Sequence, residues 1–278
     1  MKKTLNINGH LFDLSTPMVM GILNATPDSF YDKSRIGSNK KSLLTAINKM
    51  VADGVDIIDI GGYSTRPGAD DISIAEEIKR VLPVIKLVKG LYPQIPISID
   101  TFRSEVAEAA VSEGADIVND ISGGTLDKKM PLTVASLRVP YILMHNRGTP
   151  KGMQTQVIYQ NVVTDVLTEL QQRVLLFEEK GVRDIIVDVG FGFAKSTDHN
   201  FELLNSLEFF QNLNRPLLIG VSRKSMIYKT LKNSPQDALN GTTALHMFAL
   251  MKGANLLRVH DVKEAKEAVI LFEKIVAG

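Results

Sequence analysis

The chain has 278 residues, 44% hydrophobic and 23% charged, with a formal net charge of +1 and no cysteine. A near-neutral balance gives no global case for nucleic acid or an anionic membrane surface as partner. The lack of cysteine excludes disulfides, thiolate nucleophiles and cysteine-ligated zinc, and it fits a reducing compartment. The N-terminal MKKTLNINGHLFDL carries no apolar stretch behind its two lysines, so it does not read as a signal peptide, and no run reaches the ~18 apolar residues of a membrane span. A soluble, cytoplasmic protein is the expectation.

Residues 4–14 alternate apolar and polar around Asn8-Gly9, the strongest two-residue hairpin signal. Residues 1–16 are therefore expected to form a short β-hairpin. From Pro17 the chain repeats one phrase: a buried-type strand, a loop, an amphipathic helix. The strand-like runs are MVMGILN, DIIDIGGYSTR, PISID, DIVND, PYILMHNR, DIIVD, PLLIGVSRK and NLLRVH, continuous in the way of parallel strands buried on both faces. Between them the spacing predicts helices over Ser42–Asp53, Ile74–Val88 (with Pro83 as a kink), Ser104–Glu113, Met130–Leu137, Val157–Lys180 and Phe201–Leu213. A further helix follows Ser222, split by Pro235, with its main part Ala244–Lys252, and a last one runs over Val262–Val276. Eight such units predict an α/β fold, a single-domain (β/α)8 TIM barrel over 17–278, with the hairpin capping its closed bottom.

Two loops exceed the usual ~2–6 residues of a βα connection: Ala25–Asn39 and Ser64–Ser73. The first holds Phe30, Tyr31, Lys33 and Arg35, the second Arg66, Pro67 and Gly68. Aromatic and basic groups at the catalytic face suit a flat anionic substrate.

In a barrel the strand ends line the active site. Asp100 and Asp188 can each accept two parallel hydrogen bonds from an amidine-like edge, Asn119 offers a donor and an acceptor, and Lys224 donates. Together they suit a 2-amino-4-oxo heterocycle such as a pterin or guanine; the plainer reading is that each acid caps the loop or helix after it. Arg258 and His260 follow the eighth strand, where barrels commonly bind phosphate; otherwise one of them pairs with Asp261 at the surface. Asn24 and Thr65 each offer an oxygen to a hard cation such as Mg2+, which takes few protein ligands, and loop capping explains Asn24 equally well. His10, His199 and His246 read as structural. His145 faces the mouth without an evident carboxylate partner. No HExxH or GxSxG motif is present, and Gly61-Gly62 and Gly123-Gly124 fit no nucleotide fingerprint.

These residues lie in NATPDSFYD (24–32), GGYSTRPGA (61–69), SIDTFRSEVAEAAV (98–111), VNDISGG (118–124), LMHNRGTP (143–150), GVSRKS (220–225) and RVHDV (258–262), and the set resembles the dihydropteroate synthase family in order, from about Pro17 to Val262. The resemblance implies a folate-biosynthesis transferase that condenses 6-hydroxymethyl-7,8-dihydropterin diphosphate with para-aminobenzoate, a reaction in which sulfonamides would compete. It implies that Asp100, Asn119, Ile121, Met144, Asp188, Phe193, Gly220, Lys224 and Arg258 bind the pterin. Asn24, Thr65, Arg258 and His260 would hold the diphosphate, with Mg2+ at Asn24. Phe30, Thr65, Arg66, Pro67, Phe193, Ser222 and Lys224 would form the aminobenzoate subsite. Asp100, Lys224, Arg258 and His260 would carry the catalysis, and the protein would be a homodimer. Tyr63, Asn146, Val189 and Ala194 depart from the family's pattern. Two other readings share the pterin-binding set: a folate-to-corrinoid methyltransferase, which would not need the diphosphate residues, and a non-catalytic pterin-binding paralogue.

Overall fold

The computed structural model describes residues 4–25, 36–63, 71–148 and 157–277. The chain begins with an antiparallel hairpin, β1 (Thr4–Ile7) and β2 (His10–Asp13). Its turn residues Asn8 and Gly9 have φ of 51° and 83°, the left-handed pair that a two-residue hairpin turn requires. Eight parallel strands then close a barrel: β3 (Met18–Asn24), β4 (Ile57–Gly61), β5 (Ile97–Asp100), β6 (Ile117–Asp120), β7 (Tyr141–Met144), β8 (Ile185–Asp188), β9 (Leu217–Ile219) and β10 (Leu256–Val259). They are hydrogen-bonded in chain order, with β10 pairing back on β3.

The helices are α1 (Ile36–Ala52), α2 (Ile74–Leu91), α3 (Ser104–Ser112), α4 (Met130–Leu137), α5 (Val162–Glu179), α6 (Thr197–Asn205), α7 (Ser225–Thr230), α8 (Leu239–Met251) and α9 (Val262–Val276). Each predicted strand is present. Several helix starts differ, and local chemistry accounts for three of them. The α5 helix opens at Val162 because Asn161 caps it, accepting from the Val163 and Thr164 amides at 3.1 and 3.0 Å. A capping box of Ser196 and His199 opens α6 at Thr197, and the segment predicted to continue it becomes a 3-10 turn, Leu207–Leu213. In α8 the breaker-like Gly241 lies inside the helix: a Cβ there would stand 2.5 Å from Ile227 Cγ2, so glycine lets α8 meet α7. The α2 helix runs past Pro83 without ending.

Pleat alternation sorts the barrel residues. Val19, Ile58, Val118, Leu143, Val187, Ile219 and Leu257 join the large outer core with the helices. Met20, Ile57, Ile117, Ile142, Ile186, Leu218 and Leu256 fill the interior, where Leu5, Ile7 and Leu14 of the N-terminal segment pack against them. Leu5 and Ile7 thus turn one face of the hairpin onto the interior of the barrel. Asn255 secures that junction: its Oδ1 accepts from Leu217 N at 3.0 Å, its Nδ2 donates to Leu14 O at 3.3 Å, and its carbonyl accepts from Met18 N at 2.9 Å.

Candidate active site at the mouth of the barrel

Two residues beyond six of the seven interior strand residues, the same inward phase presents the mouth: Asp59, Asn119, Met144, Asp188, Gly220 and Arg258; beyond Met20 it presents Ile22. One strand over, Ser98 and Asp100 follow the same phase, since Ser98 is in register with Asp59 and Asp100 with Asn119. The strands thus hold an apolar floor and a polar upper layer by sequence spacing alone.

Arg258 is the hub of that layer. Its Nε donates to Asp59 Oδ2 at 2.7 Å and its Nη2 to Asp100 Oδ2 at 2.5 Å. Asn119 Nδ2 donates to the Asp59 carboxylate at 3.2 and 3.4 Å. Asp59 is fully buried, whereas the Asp100 side chain keeps 18% exposure. Burial pushes the Asp100 carboxyl up to about 7, against the pull of Arg258 and with the help of the Asp59 charge. For Arg258, burial alone would lower the pKa; Asp59 and Asp100 together outweigh it and hold the guanidinium firmly charged.

The other wall is built from β8 and the loops after β8 and β9. Asp188 Oδ1 accepts from Gly190 N at 2.7 Å, so the loop-capping reading of Asp188 holds alongside its place at the mouth. Burial raises its pKa, and Lys224 opposes that shift. Lys224 donates to Phe191 O, and its Nζ lies 4.8 Å from the centre of the Phe193 ring. Burial lowers the Lys224 ammonium to about 8, with Asp188 acting in the opposite direction. At Gly220 an added Cβ would stand 3.9 Å from Lys224 Nζ and 4.0 Å from Arg258 Cβ, so the missing side chain keeps the space between two cations open. Met144 and Ile121 are buried apolar neighbours at the ends of β7 and β6.

Ser222 and His260 form a second group: Ser222 Oγ lies 3.0 Å from His260 Nδ1 and accepts from His260 N at 3.1 Å. The Asp261 carboxylate takes a two-pronged bond from Arg223, at 2.7 and 2.9 Å. Asn24 ends β3 in register with Gly61 and is exposed. Phe30, Thr65, Arg66 and Pro67, with the tips of both long loops, lie outside the described residues.

Asp59 was not singled out in the sequence, although its signal is there: an acid flanked by isoleucines in a strand, in inward phase two residues before Gly61. His145 has the carboxylate partner that sequence did not reveal, Glu169 of α5, at 3.1 Å from Nε2. Tyr63 packs edge-on against Phe102 at 5.2 Å, beside Arg103, which bonds buried Glu77 at 2.8 Å. Among the described residues no group of three His, Asp or Glu side chains is placed to hold a metal. An exposed Asn24 fits an ion held mainly by substrate oxygens and water.

The family described as Pterin binding enzyme matches residues 20–260. The chain is 43% identical over 262 residues to the Folic acid synthesis protein fol1 of Schizosaccharomyces pombe, covering 91% of this chain and 35% of that one. It is 41% identical over 274 residues to Dihydropteroate synthase of Escherichia coli, covering 95% and 94%. The Xanthomonas albilineans Dihydropteroate synthase solved with 4-aminobenzoic acid superimposes with a TM-score of 0.91 at 36% identity, over 100% of both chains. The same protein in complex with 7,8-dihydropteroate gives a TM-score of 0.88 at 34% identity, over 99% of both chains. Among the described residues no helix is long and apolar enough to cross a membrane.

Proposed function

Because the chain belongs to the dihydropteroate synthase family, we propose that it is a cytoplasmic transferase that joins 6-hydroxymethyl-7,8-dihydropterin diphosphate to para-aminobenzoate. The observation that carries the reading is the polar layer at the mouth, where Asp100, Asn119, Asp188 and Lys224 surround one opening beside Arg258. That set supplies two carboxylates for an amidine-like edge, an amide for the adjoining ring atoms and an ammonium for a ring oxygen or nitrogen. Met144 and Ile121 would give the ring an apolar neighbour, and Arg258, held by two carboxylates, would stack on it.

The bond from the pterin methylene to oxygen breaks, and the diphosphate leaves with the electron pair. The arylamine nitrogen attacks the methylene carbon, and its proton passes to solvent. Arg258 and His260 stabilise the charge gathering on the leaving group. Asp100, ionised when the ring's N–H groups donate to it, stabilises positive charge on the pterin. Mg2+, held at Asn24 and otherwise by the diphosphate and water, would supply further charge neutralisation. An arylamine is already a nucleophile, so no strong base is required. Phe193, Ser222 and Lys224 form one side of the aminobenzoate subsite, and Phe30, Thr65, Arg66 and Pro67 would complete it.

The test is direct. Purified protein given both substrates and Mg2+ should release diphosphate and form dihydropteroate. Intact pterin binding with no product would favour a non-catalytic paralogue. Methyl transfer from a folate to a corrinoid would favour the third reading, against which stands the diphosphate set. We also propose a homodimer through α8 and α9. Met251, Ile270, Leu271, Ile275 and Val276 there are each more than half exposed, an apolar face of the kind that marks an interaction surface.

A further inference from the structure

Behind the mouth, Lys195 is 94% buried, being 6% exposed, and its Nζ meets three acceptors: His145 Nδ1, Gly190 O and Phe193 O, each at 3.0 Å. An ammonium has three protons and no lone pair. It therefore donates to all three, and His145 must present a lone pair at Nδ1. The imidazole then carries its single proton on Nε2, aimed at Glu169 Oε2 3.1 Å away. The electrostatics agree with that assignment. Burial, reinforced by Lys195, lowers His145 to about 3 and keeps the ring neutral. Burial would raise the Glu169 carboxyl, yet the bonds from His145 and Arg147 bring it down to about 2. Burial brings Lys195 itself down to about 7, opposed by the charge of Asp188. A neutral amine would have to accept a proton from His145 Nδ1, which would leave the Nε2 lone pair facing the Glu169 carboxylate at 3.1 Å, an arrangement the geometry disfavours. The positive charge of Lys195 is thus answered first by Asp188 and then by Glu169 across a neutral ring.

We propose that Lys195 is a positioning residue, fixing the loop from Val189 to Ser196 and through it the pterin-facing groups of the mouth. The rest of that loop is held in the same manner. Tyr159 Oη donates to Ala194 O at 3.0 Å, Asn200 Oδ1 accepts from Gly192 N at 2.7 Å, and Lys224 donates to Phe191 O. Asp188 takes its bond from Gly190, whose carbonyl Lys195 holds, and the Phe193 ring near Lys224 Nζ belongs to the other residue whose carbonyl it holds. Lys195 therefore touches no reacting atom, yet it joins Asp188, Phe193 and Lys224 to the wall formed by β7 and α5. This role rests on the dihydropteroate synthase reading.

Three measurements test it. In Lys195→Met, titration with the pterin diphosphate should show affinity reduced about tenfold to hundredfold, as expected for reactive groups displaced by an ångström or less, with KM rising for both substrates more than kcat falls. Lys195→Arg keeps the charge but replaces a tripod of protons with a planar fork, so it should not rescue either value; an Arg variant within about twofold of the parent would show that charge alone suffices and overturn the proposal. Nitrogen NMR of the unaltered protein just below neutral pH should find His145 neutral with its proton on Nε2. A proton on Nδ1, or an imidazolium, overturns the proposal even where the Met variant does not fold, and unchanged pterin affinity in a folded Met variant does so as well. Absence of dihydropteroate formation by the unaltered protein would instead sink the parent reading, since the NMR and binding experiments need no turnover.

Discussion

Arg258 serves two carboxylates, and the two depend on it differently. Asp59 is fully buried and takes its bonds from Arg258 and Asn119. Arg258→Met should cost about 3–5 kcal/mol in urea unfolding, because it leaves a buried charge uncompensated, and it should also abolish turnover. Asp100 lies nearer the opening, and Asp100→Asn should reduce turnover at least about tenfold while changing Tm little when Tm is measured at about pH 4. Equal losses would instead assign Asp100 a structural role. The pH dependence has a definite sign. The Asp100 carboxyl sits at about 7 when folded, above its ordinary 3.8. The folded chain therefore binds more protons between those values, and the contribution is fully present below the unfolded pKa and lost as pH rises through about 7. Measured by urea midpoints, the Asn variant should gain on the parent from about pH 4 to about pH 7. Ala194 offers a simpler case. Its φ of 49° places a side chain in the left-handed region, which costs about 1 kcal/mol relative to glycine; Ala194→Gly should raise stability by up to that amount in the same assay.

At the scale of elements, the hairpin and the strands perform separate tasks. Leu5 is 1% exposed and packs in the barrel floor with Ile57 and Ile117. Leu5→Ala should cost about 2–5 kcal/mol in denaturant unfolding and leave KM for both substrates unchanged, since the floor is remote from the polar layer. All eight strands were legible because strands buried on both faces read as unbroken apolar runs, and their ends named most of the described mouth. Helix starts were less legible. Val157, Ile158 and Tyr159 look like a helical beginning, yet Asn161 intervenes as a cap and Ile158 stays 83% exposed. Gly241 resembles a break because its packing against Ile227 is a tertiary fact. Asp59 escaped notice because it lies inside a strand rather than at its end. The His145–Glu169 pair could not be read at all, since it depends on how α5 lies across β7.

At the scale of the molecule, the outer surface of α8 and α9 gathers Met251, Ile270, Leu271, Ile275 and Val276, each more than half exposed, and it predicts association. Sedimentation should give a dimer. Leu271→Glu with Ile275→Glu should yield a monomer, because a buried like-charge cluster across a self-complementary face is disfavoured. Barrel closure has an effect of a different kind, on the time course of folding. Strand β10, which joins β3 to complete the ring, also carries Arg258, 199 residues after Asp59. During synthesis the acids of the early strands emerge long before their counter-charge, and the nascent chain must remain open at this seam until its last strand arrives. Long-range parallel pairing of this sort folds slowly and leaves edges exposed to aggregation. The same residue that balances the charge of the mouth is therefore among the last to commit the chain to its fold.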